Sequence, residues 1–227
     1  MNELLVNNNP RSPFSEAIKT VRTNLLFSNK GKKVKTILVT SSKPGEGKSF
    51  IAANLAVAFA QSKKEVLIID CDLRKGRQHD IFHMANDRKY GFSNLLLEED
   101  NVKLEKYIKK TEVSHVSLIT AGLMPPNPSE LLESENTKKV IEKLKEKYDL
   151  ILFDCPPVLG LNDALMMTKY SDVNIVVASS KVTKLEDLDH VKKAFENIKQ
   201  KIAGVILNKV EVSKNSYYGY YSSYHES

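Results

Sequence analysis

Thr36-Ile37-Leu38-Val39-Thr40-Ser41-Ser42-Lys43-Pro44-Gly45-Glu46-Gly47-Lys48-Ser49-Phe50 is the segment from which the rest of the chain becomes legible. Its apolar start, Ile37-Leu38-Val39, reads as a buried strand. A turn containing Pro44, Gly45 and Gly47 follows, and Phe50 to Ala60, rich in Ala and Leu, reads as a helix. Strand, glycine-rich turn and helix are the parts of a phosphate-binding loop, in which backbone N–H groups of the turn and of the helix N-terminus face an anion. Lys48 is spaced to reach the β- and γ-phosphates of a nucleotide, and Ser49 to hold Mg²⁺. The common pattern is Gly-x-x-x-x-Gly-Lys-[Ser/Thr]; here Ser42 stands in the first position. The alternative is a glycine-rich turn that only joins a strand to a helix. Lys43 is an additional charge at the mouth of the loop.

Downstream, apolar runs end repeatedly in carboxylates. Glu65-Val66-Leu67-Ile68-Ile69-Asp70 reads as a second buried parallel strand, continuing into Cys71-Asp72-Leu73-Arg74. Ligands of open α/β sheets sit at the carboxyl ends of strands. Asp70 and Asp72, at i and i+2 there, can approach one metal–phosphate centre, and Arg74 can meet a phosphate or steady the carboxylates. Asp149-Leu150-Ile151-Leu152-Phe153-Asp154 is a further strand ending in a carboxylate, the Walker B arrangement in which Asp154 binds Mg²⁺ directly or through water. Pro156-Pro157 then turns the chain out of the strand. Val116 to Thr120, Asp172 to Ala178 and Ile202 to Leu207 read as the remaining strands. Helices are expected over 129–133, 136–147, 162–170 and 185–199, with Ser129 as a cap. The whole is an α/β fold with a mostly parallel central sheet and helices on both faces. Asn208, at the end of the last strand, either pairs with a purine base or is an ordinary turn residue.

Upstream, residues 1–11 are polar and read as flexible. Ser12-Pro13 starts a helix of about 12–28, with Ser as N-cap and Pro at N1. Glu16, Lys19 and Arg22 recur every three residues on one face, either as a solvated surface or as a subunit contact. At the other end, 213–227 is a change of character: Tyr217, Tyr218, Tyr220, Tyr221 and Tyr224 are five of the chain's nine tyrosines, set among Ser and Gly with no aliphatic residue. This reads as a flexible segment outside the core. Lys214 is its single Lys or Arg, which argues against base stacking; a nucleotide site on the same chain favours phosphate acceptors.

The 227 residues are 41% hydrophobic and 27% charged, as in a soluble globular protein, and suit one α/β domain, 1–212, followed by the tyrosine-rich segment. The net charge of +6 is carried by dispersed Lys, which argues against nucleic acid as a partner. Cys71 and Cys155 lack metal spacing and read as reduced thiols of a cytosolic protein. His79 and His83 read as surface residues rather than a metal pair. No long apolar run or signal peptide is present, so the chain is not expected to cross a membrane alone.

Taken together, Lys43-Pro44-Gly45-Glu46-Gly47-Lys48-Ser49, Asp70-Cys71-Asp72-Leu73-Arg74, Ile151-Leu152-Phe153-Asp154-Cys155-Pro156-Pro157 and the terminal tyrosines resemble the bacterial tyrosine kinases of capsular and exopolysaccharide synthesis. The likeness is to the cytoplasmic kinase chains whose activator is a separate membrane protein, and covers about 12–227. It implies the P-loop NTPase fold of the deviant Walker A ATPases. It implies ATP and Mg²⁺ as cofactors, with ATP held by 43–49, Phe50 and Asn208, and Mg²⁺ by Ser49, Asp70, Asp72 and Asp154. Asp70 is implied as the base beside the incoming tyrosine, with Lys48 and Lys43 on the phosphates; Lys43 matches the extra lysine of deviant loops, which acts in its own site or in a neighbour's. The resemblance further implies autophosphorylation of the tyrosine cluster between subunits of a ring-like oligomer, recruitment to the inner face of the cell membrane by the activator, and protein substrates in polysaccharide synthesis. Glu16-Ala17-Ile18-Lys19-Thr20-Val21-Arg22 matches the family's Glu-x-x-Arg-x-x-Arg oligomerisation signature, with Lys19 in place of Arg. Lys keeps the charge and loses the planar fork. The rivals are a positioning or partition ATPase switch, whose division-type members end in an amphipathic membrane helix, and an ATP-dependent scaffold without transfer activity. ATP-dependent phosphotyrosine separates the kinase from both.

Overall fold

The structure, a computed structural model, describes residues 3–28, 31, 33–98 and 103–211. In chain order it forms α1 (Leu5–Asn8), α2 (Pro13–Phe27), β1 (Thr36–Ser41), α3 (Lys48–Ala60), β2 (Val66–Asp70), α4 (Gln78–Ile81), α5 (Phe92–Leu97), β3 (Lys109–Lys110) and β4 (Val116–Ile119). Then come α6 (Pro128–Glu133), α7 (Glu135–Lys147), β5 (Leu150–Asp154), α8 (Asp163–Met167), β6 (Val173–Ser179), α9 (Leu185–Asn197) and β7 (Gly204–Asn208). The seven strands lie in the order β3-β4-β2-β5-β1-β6-β7, all parallel except β3 against β4.

Strand alternation divides the core between the two faces of the sheet. Ile37 and Val39 of β1 join Ile68, Leu152 and Ile175 against α2 and α3, while Leu38 joins Leu67, Ile69, Phe153 and Val176 against the helices of the opposite face. All residues of α3 except Phe50 are buried, because it lies between the sheet and the pair α1–α2. A helix enclosed on all sides is apolar all round, and the small side chains of Ala52, Ala53, Ala56 and Ala58 permit the close approach. β1 sits centrally, with β5 on one side and β6 on the other, while the chain itself runs from β1 through α3 to β2, beyond β5. This is the topological switch point at which α/β sheets bind ligands.

Four expectations need correction. Residues 1–11 are not uniformly loose: Leu5–Asn8 is a turn of helix, with Leu4 and Val6 buried against α3. The cause is Asn54, wholly buried in α3, whose Oδ1 accepts the Val6 N–H (3.0 Å) and whose Nδ2 donates to the Glu3 carbonyl (2.9 Å). The short antiparallel strand β3 is additional; its two lysines suit an edge position. Ser129 does not cap: Asn127 holds that position in α6, and the Ser129 hydroxyl donates to Asp163. Ser12 does cap α2, accepting from Ser15 N (3.2 Å), with Pro13 in the first turn. Finally, the helix expected over 162–170 is α8 followed by a 3₁₀ turn, Thr168–Tyr170.

Replacing Asn54 by Ala leaves the Val6 amide buried without a partner. The expected loss is about 1–3 kcal/mol in denaturant unfolding, and an unchanged midpoint would remove Asn54 as the anchor of the N-terminal segment.

Candidate nucleotide site

The loop between β1 and α3 is shaped by Gly45 (φ 81°) and Gly47 (φ 97°), both in left-handed backbone. At Gly47 a Cβ would also lie 2.1 Å from Asn208 Nδ2, so the end of β7 closes on the loop where a side chain would stand. Ser42, in the position where Gly is usual, has a bonding role. Its hydroxyl donates to Glu46 Oε1 (2.7 Å), and the Lys43 amide donates to Glu46 Oε2 (2.8 Å). The Thr183 hydroxyl, before α9, donates to the same carboxylate, which is 1% exposed. Glu46 is thus an internal staple of the loop rather than a group facing a ligand.

Beyond the loop, Lys48 lies among three carboxylates from two neighbouring strands. Its Nζ is 3.0 Å from Asp72 Oδ2 and 3.6 Å from Asp154 Oδ1, and donates to the Ser49 hydroxyl at 3.2 Å. Register explains the convergence: Asp70 and Asp154 are paired across β2 and β5, and β5 also lies beside β1. Burial works against the ammonium, but Asp154, Asp72 and Asp70 outweigh it and hold Lys48 protonated, above the ordinary lysine range. Asp70 is pushed the other way: burial and the adjacent Asp154 carboxylate raise it well above the usual carboxylate range, against the Gln78 amide and Lys48.

A cavity of about 560 Å³ opens at this end of the sheet, lined in part by Pro44, Gly45, Gly47, Lys48, Ser49 and Phe50 on the loop side. Asp72 and Asn208 also line it, whereas Lys43, Glu46, Asp70 and Asp154 do not. Asp70, expected beside an incoming tyrosine, is wholly buried, with Oδ1 accepting Asp72 N (3.2 Å) and Oδ2 accepting Gln78 N (2.9 Å). In this conformation Asp72 is the carboxylate of the pair that faces the cavity. Asn208 uses its amide to donate to the Glu46 carbonyl at 3.0 Å. Lys43 Nζ is 2.7 Å from Asp187 Oδ2 in α9, and this partner holds Asp187 below the usual carboxylate range. Arg74 is paired with the buried Asp163 at 2.9 Å.

Of the residues expected at a subunit contact, Glu16 and Lys19 pair with each other at 2.7 Å, while Arg22 donates to the Ala58 carbonyl of α3 at 2.8 Å. Cys71 and Cys155 are free and buried side by side. Tyr217, Tyr218, Tyr220, Tyr221 and Tyr224 lie outside the described residues.

Two residues essential to this geometry escaped the sequence reading. Gln78 Nε2 donates to Asp154 Oδ2 (2.7 Å) and to the Ser49 carbonyl (3.0 Å), linking the loop helix to the inner carboxylate. Gly76 leaves room for Asp70 and Ala121, since a Cβ there would lie 2.7 Å from Asp70 Oδ2 and 2.6 Å from Ala121 Cβ. The stretch Lys75-Gly76-Arg77-Gln78 carried one cue, a glycine close after the Asp-x-Asp.

The donor set fits Mg²⁺. Asp154 Oδ1 and Gln78 Oε1 are buried with no hydrogen-bond partner, beside the Ser49 hydroxyl and Asp72. No cluster of three or more metal-binding side chains is preformed among the described residues. Mg²⁺ keeps several waters and takes one or two carboxylates together with substrate phosphates.

Strand order, loop and carboxylates define the class: a P-loop nucleotide-binding domain, and residues 34–209 match the family AAA_31, an AAA domain. The chain is 39% identical over 214 residues to the tyrosine-protein kinase YwqD of Bacillus subtilis (strain 168), covering 94% of this chain and 89% of the relative. It superposes on the crystal structure of the chimerical protein CapA2B2 with a TM-score of 0.87 at 35% identity, covering 93% of this chain and 92% of that one. The septum site-determining protein MinD from Pyrococcus horikoshii, complexed with Mg-ADP, matches with a TM-score of 0.63 at 28% identity over 79% of this chain and 72% of that one. The chain belongs to the bacterial tyrosine-protein kinases, and its activity is that of the family.

Gln78→Leu is expected to raise the Mg²⁺ concentration needed for half-maximal activity by about 10–100-fold, the usual cost of losing a group that supports a metal site. A titration of activity against Mg²⁺ in wild type and variant measures this, and coincident curves would deny Gln78 the role.

Proposed function

We propose that this chain transfers the γ-phosphoryl group of Mg-ATP to tyrosines of its own segment 213–227, between subunits, and so regulates capsular or extracellular polysaccharide synthesis. The observation that carries the reading is Lys48, protonated and held by Asp72 and Asp154 at the mouth of a glycine-shaped loop. Phosphoryl transfer has a loose transition state, so positioning and charge neutralisation supply most of the catalysis. The loop amides and Lys48 take the phosphates, with Lys48 leaving its carboxylates for them. Ser49, Asp72 and Asp154 would hold Mg²⁺, and bound there it would neutralise phosphate charge. The tyrosine hydroxyl, with a pKa of about 10, needs a carboxylate to orient it and to accept its proton late. The pair Asp70 and Asp72 serves this, Asp72 at the cavity and Asp70 behind it.

Two structural facts support the tail as acceptor. β7 runs to Asn208 against the loop, and Lys209 Nζ donates to the Gly45 carbonyl at 2.7 Å, so the chain leaves the described fold at the rim of the site. The domain 1–212 then presents 213–227 to a neighbour in a ring, with Glu16, Lys19 and Arg22 of α2 at or near the contact. No helix of the described residues is long and apolar enough to cross a membrane; we assign recruitment to the cell membrane to a separate membrane-anchored activator. Each phosphotyrosine adds roughly −1.5 to −2 charges, so a fully modified tail repels its neighbours and loosens the ring. The family membership and the tyrosine cluster favour this reading over a partition-type switch.

Lys48→Met is expected to abolish phosphotyrosine in 213–227, measured by mass spectrometry after incubation with Mg-ATP; persistent labelling would overturn the mechanism. Mixing that variant with an active chain lacking 213–227 should label the variant's tail, and no label would mean transfer within one chain. Asp70→Asn and Asp72→Asn are each expected to slow transfer by about 10²–10⁴-fold, the range of a lost general base; a variant within twofold of wild type would exclude that residue.

A further inference from the structure

The cavity carries positive charge that the phosphate loop does not account for. Arg74, Lys75 and Arg77, on the turn between β2 and α4, line the same cavity as Lys48 and Asp72. Arg74 is committed to the buried Asp163 at 2.9 Å. Lys75 is exposed and pairs with no acid among the described residues. Arg77 is 47% exposed, and its Nη2 meets Glu3 Oε1 at 2.5 Å.

Glu3 does not reach this position by chance folding of a loose end. Asn54, buried in α3, binds the Glu3 carbonyl and the Val6 amide, Gln61 Nε2 donates to the Val6 carbonyl at 3.1 Å, and Val6 is fully buried. The anchored segment holds a carboxylate at the cavity wall, on Arg77 and along the same lining as Lys75, while the Glu3 side chain itself stays 31% exposed. An ion pair this exposed contributes little to stability, and it is readily exchanged for another anion.

Resting on the kinase reading, we propose that Arg77 and Lys75 form a subsite for an anionic side chain flanking the acceptor tyrosine, and that Glu3 is its built-in occupant, displaced by the acceptor. The ligand chemistry is a carboxylate or a phosphotyrosyl group within a peptide. The second source would let an already modified tail return to the site, so that one phosphorylation favours the next.

The test uses the full chain and fluorescent peptides in which Phe replaces the acceptor tyrosine, flanked by Glu, by phosphotyrosine or by Gln, with binding read by anisotropy. The Glu-flanked peptide is expected to bind about tenfold more tightly than the Gln-flanked one, as for a charge-assisted pair. That ratio should fall as salt is raised. Arg77→Glu should remove the preference, and Glu3→Gln should tighten the anionic peptides several-fold while leaving the Gln-flanked peptide unmoved. Because each variant is judged by a ratio between peptides, a general loss of binding does not imitate the result. Preference for one anion over the other identifies the source. Equal binding of the Glu- and Gln-flanked peptides, or a ratio unchanged by Arg77→Glu, overturns the subsite; an unchanged affinity in Glu3→Gln overturns the occupant. Phosphate transfer to Tyr-bearing versions of the same peptides stands apart: no phosphotyrosine on any of them counts against the kinase reading, whereas transfer without flank preference counts against the subsite alone.

Discussion

A buried ammonium beside buried carboxylates governs this molecule. Lys48, Asp70, Asp72 and Asp154 are all nearly or wholly removed from solvent, at the carboxyl ends of β2 and β5 and the start of α3. Removing charges from water costs several kcal/mol per ion even after relaxation, so the cluster is poor evidence of stability and good evidence of use. Burial, and after it the neighbouring Asp154, pushes Asp70 well above the usual carboxylate range, while Asp154, Asp72 and Asp70 keep Lys48 charged against its own burial. A hydrated cation is the kind of counter-charge such carboxylates take, and an anionic phosphate the kind of partner such an ammonium takes.

The fold exists around that cluster in a literal sense. Parallel pairing brings Asp70 and Asp154 level, and β1, beside β5, sets the loop across from them. The loop is then held by its own carboxylate, Glu46, which binds Ser42, Lys43 and Thr183. Gln78 closes the arrangement from the other side by bonding both Asp154 and the first turn of α3. Anchors of this kind keep donors and charges oriented before a ligand arrives, which is the main source of electrostatic catalysis.

Much of this was legible in the sequence. Val66–Asp70 and Leu150–Asp154 are continuous apolar runs ending in a carboxylate, and Ile37-Leu38-Val39 runs straight into the glycine-rich turn, so strand and site followed from pattern alone. Side-chain direction was not legible. Lys43 looks like a phosphate ligand and rests on Asp187; Glu46 looks like part of a binding loop and is internal; Asp70 and Asp72 look equivalent and face different ways. Arg22 looks surface-directed by its spacing and bonds the Ala58 carbonyl. Each difference depends on a partner distant in sequence. The same holds for the N-terminal turn, which depends on one amide, Asn54, inside an Ala-rich helix.

The bonds from Lys43 to Asp187 and from Thr183 to Glu46 make the start of α9 a mechanical part of the loop. A helix of 13 residues is a rod of about 20 Å, and its far end lies next to the exposed edge strand β7. Loop and rod therefore share one thermodynamic account. If nucleotide shifts α9 through these bonds, then anything gripping the outer face of α9 shifts nucleotide affinity by the same factor, in the direction the linkage dictates. A surface with no chemistry of its own thereby becomes a second handle on the reaction.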